Sequence, residues 1–138
     1  MLIRYAHEGE SADVLLARVG YPAPAPGDVV LVAEVDGATA GVLVGVLDGV
    51  GPCAPVPPPH GYVLAVAVAP GRRRRGVGRV LLDRFVAEAR SSGIRWVFLF
   101  PDEGTGLSGR VVFLRAAGFT PVVDPDEEWP AMGRWSSV

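Results

Sequence analysis

The sequence lacks the features that define several protein classes. Its single cysteine, Cys53, excludes an internal disulfide and has no Cys or His neighbour at metal-ligand spacing. No apolar run reaches the ~18 residues that a membrane-spanning helix needs. The amino terminus, MLIRYAHEGE, carries acidic residues early and has no apolar segment of signal-peptide length. We therefore expect a soluble, cytoplasmic protein that has no metal ion and no membrane partner.

Lysine is also absent, and all 13 basic residues are arginine. The formal net charge of -2 disfavours general affinity for nucleic acid or anionic lipid. The basic residues are nevertheless unevenly placed, because five of them fall within eight positions: Arg72, Arg73, Arg74, Arg75 and Arg79. This cluster needs an explanation that the overall composition does not supply.

The length of 138 residues fits one domain, which we assign to residues 1–138. Two runs rich in β-branched residues flank Asp36-Gly37, a dipeptide that tolerates positive φ. They predict an antiparallel hairpin over residues 29–48. The Pro- and Gly-rich stretch 49–61 is too short for a second domain and predicts an exposed, stiff loop.

Downstream of this loop, the sequence alternates between strand and helix patterns. From Gly76 to the Ser91-Ser92-Gly93 stop, apolar residues recur three to four positions apart, which predicts an amphipathic helix. The unbroken apolar run 94–100 is typical of a strand covered on both faces. The remaining predicted elements are strands over residues 2–5 and 62–68, helices over residues 11–20 and 108–117, and a last pair of strands over residues 119–124 and 132–138 that an acidic turn separates. A hairpin followed by a strand-helix-strand crossover indicates an α/β fold with a mixed central sheet and flanking helices.

The arginine cluster lies in the loop between a predicted buried strand and the amphipathic helix. The free amides and dipole of a helix amino terminus favour an anion, and arginine adds bidentate contacts. Gly76 and Gly78 allow phosphate oxygens to approach the backbone closely. A P-loop is excluded because Val77-Gly78 stands where Lys-Ser/Thr is required, and a dinucleotide-binding motif because Leu81 replaces its third glycine. The loop therefore predicts a phosphate-binding turn of another kind.

Residues 73–78 spell RxxGxG directly after a strand that ends in AVAVAP. With the hairpin before it, and the strand and the helix ending in Gly-Phe after it, this segment resembles motif A of the GCN5-related N-acetyltransferase (GNAT) family. The resemblance covers residues 29–120 well and implies a GNAT-like fold whose crossover holds an acyl-CoA loop. It implies acetyl-CoA as co-substrate, bound by Val66, Ala67, Val68, Arg73, Arg74, Arg75, Gly76, Val77, Gly78 and Arg79.

The resemblance also implies direct attack of a primary amine, on a small molecule or a protein, on the acetyl thioester. Members of the family often place a proton-accepting carboxylate on the motif A strand, and here Tyr62 stands at that position. His60, on the same face of that strand, and Glu34, on the second strand, are further candidate bases. Ser108 is a candidate hydroxyl for protonating the thiolate. Simpler roles stay open, a solvated strand carboxylate for Glu34 and a helix cap for Ser108.

Leu114 stands where the family often has a tyrosine that protonates the leaving thiolate. Because leucine cannot donate a proton, an alternative is a catalytically weak or inactive acyl-CoA-binding regulatory module. A nucleic-acid binder that uses the arginine run is a third hypothesis, which the negative net charge disfavours. A homodimer stays open, because a late strand such as 132–138 can pair across a two-fold axis.

Overall fold

The structure is a computed structural model that describes residues 1–7, 10, 13–21, 23–72, 76–101, 107–122 and 131–137. Within these residues the strands are β1 (Leu2–Tyr5), β2 (Val29–Val35), β3 (Ala38–Gly49), β4 (His60–Val68), β5 (Trp96–Leu99), β6 (Thr120–Pro121) and β7 (Met132–Trp135). The helices are α1 (Asp13–Ala17), α2 (Val77–Ser91) and α3 (Leu107–Ala116). None of the described helices combines the length and apolar character that spanning a bilayer takes.

The strands form one sheet with the order β1-β2-β3-β4-β5-β7-β6. The pairs β1–β2, β2–β3, β5–β7 and β6–β7 are antiparallel, and β4–β5 is parallel. A parallel pair requires a crossover connection, and α2 supplies it. These pairings confirm the α/β fold with a mixed central sheet and an amino-terminal hairpin that the sequence predicts.

The chain divides into two compact units. The first consists of Met1–Val46 and Val63–Phe85, and the second of Leu47–Tyr62 and Val86–Val138. The assignment of residues 1–138 to a single domain therefore stays a prediction.

In the first unit, the β2–β3 hairpin turns where the sequence predicts. Asp36 and Gly37 have φ values of 54° and 76°, and two consecutive positive φ angles match the twist of paired strands. The register shifts once, between Ala33 and Glu34. Leu16, Val42, Val44 and Ala67 form one cluster of buried side chains in this unit.

The two longer helices end in the same motif. Gly93 after α2 and Gly118 after α3 have φ values of 80° and 91°, which glycine adopts without a steric penalty. The next residue donates its amide to a carbonyl five positions earlier, from Ile94 to Ala89 at 2.9 Å and from Phe119 to Leu114 at 3.0 Å. These are Schellman motifs. They confirm that both predicted glycine stops end their helices.

Several strand and helix boundaries differ from the predictions. β4 begins at His60, two residues before the predicted start, and its early residues pair with β5 through Gly61↔Val97. α1 ends at Ala17, three residues before the predicted end, and the chain turns at Gly20, which has a φ of 76°. The first two residues of the predicted helix, 11 and 12, lie outside the described residues. β6 is reduced to two residues, and Pro121 lacks an amide that could extend the ladder. The acidic turn predicted to follow β6 lies outside the described residues.

The position of β7 corrects one expectation about assembly. The sequence offers residues 132–138 as a strand that can pair across a two-fold axis. In the sheet, β7 lies between β5 and β6, and Met132 and Gly133 are paired on both sides. The edge strands are β1 and β6. Dimerisation itself remains untested.

Candidate functional site

The turn that joins β4 to α2 has the local structure of an anion site. Gly76 lies directly before the helix, and its carbonyl accepts the first helical hydrogen bond, from the Val80 amide at 3.0 Å. It is therefore the N-cap, the position where a Ser, Thr, Asp or Asn side chain usually accepts a bond from a first-turn amide. Glycine has no such side chain, and a helix offers its first amides no internal acceptor. Within the described residues, the amides of residues 77–79 are therefore available to an external acceptor.

Space and charge at this helix start also suit an anion. A Cβ on Gly76 would meet no atom of the described residues within 4 Å, so open space adjoins this part of the turn. α2 has 15 residues and no acidic residue in its first turn, so no carboxylate of that turn offsets the positive end of its dipole. Among the predicted ligands here, Arg79 is exposed, whereas Val77 and Gly78 are buried. Phosphate is the kind of group that this arrangement favours.

The end of the strand that precedes the turn lies beyond its described ladder with β5. The β4–β5 ladder comprises Gly61↔Val97 and Tyr62↔Phe98 in the described chain. The predicted CoA-binding residues 66–68 follow that ladder along β4 and have no register partner in it. Val66 and Val68 are half-buried and Ala67 is buried. Backbone groups beyond the end of a ladder can pair with an extended ligand.

The three remaining predicted ligands cannot be placed. Arg73, Arg74 and Arg75 lie outside the described residues, so their contact with a phosphate stays a prediction. No three His, Cys, Asp or Glu side chains in the described part of the chain cluster as a metal site would require. The expectation of a metal-free protein remains untested.

His60 is almost fully buried, and the 50–59 loop engages both of its ring nitrogens. The Gly51 amide donates to Nδ1 at 2.8 Å, and Nε2 lies 2.7 Å from the Val56 carbonyl oxygen. Because an amide only donates and a carbonyl only accepts, the ring is the neutral tautomer with its proton on Nε2. A general base needs an unprotonated nitrogen that faces its substrate. This geometry supports a structural role for His60 and does not support its predicted role as the general base.

Replacing His60 with Phe should lower the free energy of unfolding by about 1–3 kcal/mol, since Gly51 and Val56 each lose a hydrogen-bond partner. His60→Asn is the matched control, because its Oδ1 can still accept from Gly51, and a smaller loss is expected. Urea denaturation measures both. Turnover by the folded variants should stay within about tenfold of wild type, since a general base contributes at least about a hundredfold. A collapse of kcat without loss of stability would instead identify His60 as the base.

Tyr62 belongs to an aromatic cluster in the second unit. Its ring stacks on Phe98 with centroids 4.5 Å apart and planes inclined by 15°, and it meets Phe100 edge-on at 5.9 Å. Tyr62 and Phe98 are also register partners, so the stack lies directly across the β4–β5 pair. Stacked pairs contribute about 0.5–1.5 kcal/mol beyond the area that they bury. The ring is thus held in place, while a catalytic role for its hydroxyl stays a prediction.

Glu34 forms an ion pair with Arg4. Arg4 Nε and one terminal nitrogen donate to Glu34 Oε1 at 2.8 and 2.5 Å. The same guanidinium donates to both carboxylate oxygens of Glu10, at 2.8 and 2.9 Å. One arginine therefore bridges two carboxylates beside the β1–β2 pair. This ion pair is the simplest role for Glu34, and its function as a base stays a prediction.

The Arg4–Glu10 pair predicts a pH-dependent contribution to stability. The hydrogen bond from Arg4, aided by the His7 amide, lowers the pKa of Glu10 from 4.5 to about 2. A carboxylate with a depressed pKa stabilises the fold above its unfolded-state pKa and loses that contribution as pH falls. Arg4→Gln should therefore lower Tm at neutral pH, and the difference from wild type should shrink between pH 4.5 and about 2. A Tm difference that stays constant across this range in thermal melts would contradict the assignment.

Two further predicted positions lie on α3. The helix begins at Leu107, one residue before the predicted start, so Ser108 lies in its first turn and not at the predicted cap position, and its side chain is outside the described part. Leu114, at the family's tyrosine position, is 7% exposed, and its carbonyl takes part in the helix stop. It supplies packing and no proton. The role of Ser108 stays a prediction.

The chain was compared with known proteins. The model of the acetyltransferase (GNAT) family matches residues 4–119. An aminoglycoside 6'-N-acetyltransferase complexed with coenzyme A aligns with a TM-score of 0.76 at 13% identity, covering 100% of this chain and 98% of that one. The ribosomal-protein-S18-alanine N-acetyltransferase from Escherichia coli aligns with 0.72 at 16% identity, covering 99% and 94%. The ribosomal-protein-alanine N-acetyltransferase from Brucella melitensis aligns with 0.67 at 22% identity, covering 98% and 99%. No curated protein matches the chain significantly. At these identities, the solved structures show a common fold.

Proposed function

The chain belongs to the GNAT acetyltransferase family, and from that premise we propose that it transfers an acetyl group from acetyl-CoA to a primary amine of a small molecule or a protein. The observation that supports this most is the helix start at Gly76, an N-cap without a capping side chain and with open space beside it. It coincides with the family's RxxGxG segment, whose amides hold the CoA pyrophosphate. The likeness to a structure complexed with coenzyme A points the same way.

We propose that two stretches of the first unit hold acetyl-CoA. The amides of residues 77–79 donate to the pyrophosphate, and Arg79 adds positive charge. Val66 and Val68 pair through their backbone groups with the extended pantetheine arm, since this part of β4 follows the end of the β5 ladder. A backbone amide of the same segment polarises the thioester carbonyl and stabilises the oxyanion that develops there.

In the reaction, the amine nitrogen bonds to the thioester carbonyl carbon, the C–S bond breaks, and the CoA thiolate leaves. The attacking amine must lose a proton. Tyr62, on β4, stands at the family's carboxylate position. We propose that the Tyr62 hydroxyl relays this proton to water. Water or Ser108 protonates the thiolate, because Leu114 cannot.

Turnover of acetyl-CoA with a panel of small amines and amino-terminal peptides tests the proposal. Acetyl-CoA should also raise Tm, because a ligand at a hundred times its Kd stabilises the folded state by about 2.7 kcal/mol. Free thiol released by turnover and acetylated product detected by mass spectrometry are the readouts. The absence of any thermal shift at millimolar acetyl-CoA would contradict the proposal.

One observation favours a second candidate function. Leu114 is buried at the position of the family's tyrosine acid and has no proton to donate. A catalytically weak or inactive acyl-CoA-binding module would therefore bind acetyl-CoA with an ordinary thermal shift and release little or no thiol with any amine. The two readouts above separate this candidate from the active enzyme.

A further inference from the structure

A close approach between three elements of the first unit is centred on Gly41 in β3. A Cβ placed on Gly41 would lie 2.7 Å from Val77 Cγ1, at the start of α2. It would lie 3.1 Å from the Ala67 carbonyl oxygen in β4 and 3.1 Å from Leu81 Cδ1, one turn further along α2. The strand and the helix therefore converge on a gap that only a hydrogen atom fills.

Two other facts tie this point of β3 to the proposed CoA site. The Ala69 amide, just after β4, donates to the Ala40 carbonyl at 2.8 Å, next to Gly41. Val77 is 1% exposed and directly follows the N-cap Gly76. The residue whose methyl group adjoins Gly41 thus also begins the helical turn whose amides we propose to bind the pyrophosphate.

We propose that Gly41 is a positioning residue for the acyl-CoA site, a role that rests on the proposed function. Its missing Cβ sets how closely the first turn of α2 packs on β3. That packing distance fixes where the amides of residues 77–79 lie relative to the pantetheine-pairing part of β4. Gly41 touches neither ligand nor reacting atoms and acts through Val77.

The size of the expected displacement follows from contact distances. Non-bonded carbon atoms pack at about 3.5–4.0 Å, so a methyl group at position 41 requires a shift of about 1 Å. Val77 cannot easily rotate away, because a valine in a helix has one strongly preferred χ1 rotamer. The first turn must move as a body and take its amides with it. A hydrogen bond of about 2.9 Å that lengthens by about 1 Å is no longer a hydrogen bond.

Gly41→Ala should therefore weaken CoA binding by about tenfold to a hundredfold in calorimetric titration, the loss expected for one charge-assisted hydrogen bond. The double variant Gly41→Ala/Val77→Ala makes room for the new methyl group and should recover most of this loss. Val77→Ile crowds the same gap from the helix side and should weaken CoA binding in the same way. This variant tests the proposal if Gly41→Ala folds poorly. Val44→Ala is the matched control, since it creates a cavity on the same strand and should cost stability without loss of CoA affinity.

A second probe separates positioning from a merely structural role. S-acetylpantetheine has the thioester and the pantetheine arm but no pyrophosphate. Its affinity, measured by ligand-observed NMR, should be the same for wild type and Gly41→Ala. Wild-type CoA affinity in Gly41→Ala and Val77→Ile, or equal weakening of both probes, would overturn the inference while leaving the proposed function intact. A wild-type protein that binds no CoA would overturn both.

Discussion

Gly76→Asp is expected to weaken CoA binding by about a hundredfold or more, the loss of two hydrogen bonds to a charged group. The carboxylate would enter the space that the pyrophosphate needs and would add like-charge repulsion. The fold should tolerate the change. Asp is among the residues that adopt positive φ most readily, and a carboxylate at a helix amino terminus is stabilising. Free energies of unfolding for Gly76→Asp and wild type should therefore agree within about 1 kcal/mol.

The matched control for this prediction is Gly76→Asn. Asparagine has nearly the same shape as aspartate and tolerates the φ of 78° at this position, but it has no charge. CoA affinity should fall less for Asn than for Asp, and the difference measures the electrostatic part. Cys53→Ala, in the exposed loop of the second unit, should bind CoA like wild type. Equal affinities for Gly76→Asp and Cys53→Ala would show that the helix start is not the site.

Among substitutions that add one methyl group in the second unit, Gly133→Ala is expected to destabilise the folded protein most. A Cβ there would overlap the indole ring of Trp96, with Cε2 at 2.5 Å and Cη2 at 2.8 Å. Trp96 is buried in β5, and Gly133 is paired with Phe98 on one side and Thr120 on the other, so neither strand can yield easily. We expect a loss of about 3 kcal/mol, at the upper end of what overpacking usually costs. Urea denaturation with a common m-value measures it.

Trp96→Phe/Gly133→Ala tests the cause of that loss. Phenylalanine leaves room for the methyl group, and it also removes the Trp96 Nε1 donor, which is buried and has no acceptor among the described residues. The double variant should therefore be more stable than Gly133→Ala. Gly71→Ala serves as the matched control, since its φ lies outside the left-handed region and its Cβ would meet no atom within 4 Å. A similar loss in Gly71→Ala would mean that the Trp96 contact is not responsible.

Local sequence was sufficient for most of the elements because each depends on its own residues. Period-2 and period-3.6 patterns distinguished strands from helices, and turn chemistry located the Asp36-Gly37 hairpin and both glycine stops. The errors fell where the outcome depends on distant partners. The extent of β4 was underestimated because its first residues pair with β5, as Gly61 does with Val97. The suggestion that β7 could pair across a two-fold axis was wrong because β7 also pairs with β5.

The candidate site shows the same difference between features that depend on neighbouring residues and features that depend on distant ones. The RxxGxG segment was visible because a phosphate turn needs glycine and a helix start within a few consecutive residues, so adjacent positions suffice to find it. The predicted bases were chosen by strand face, which specifies a direction but not a hydrogen-bond partner. Only the folded chain shows that Val56 and Gly51 engage His60 and that Arg4 engages Glu34.

The sequence by itself thus determined the α/β class, the order of the elements and the turn at Gly76, because these follow from periodicity, turn residues and the backbone freedom of glycine. The tertiary structure decided which polar groups are engaged and how closely β3, β4 and α2 approach one another. Those properties depend on contacts between residues far apart in the chain. In the sequence Gly41 is one glycine among 18, and only the position of Val77 across the gap shows why a side chain there would move the helix.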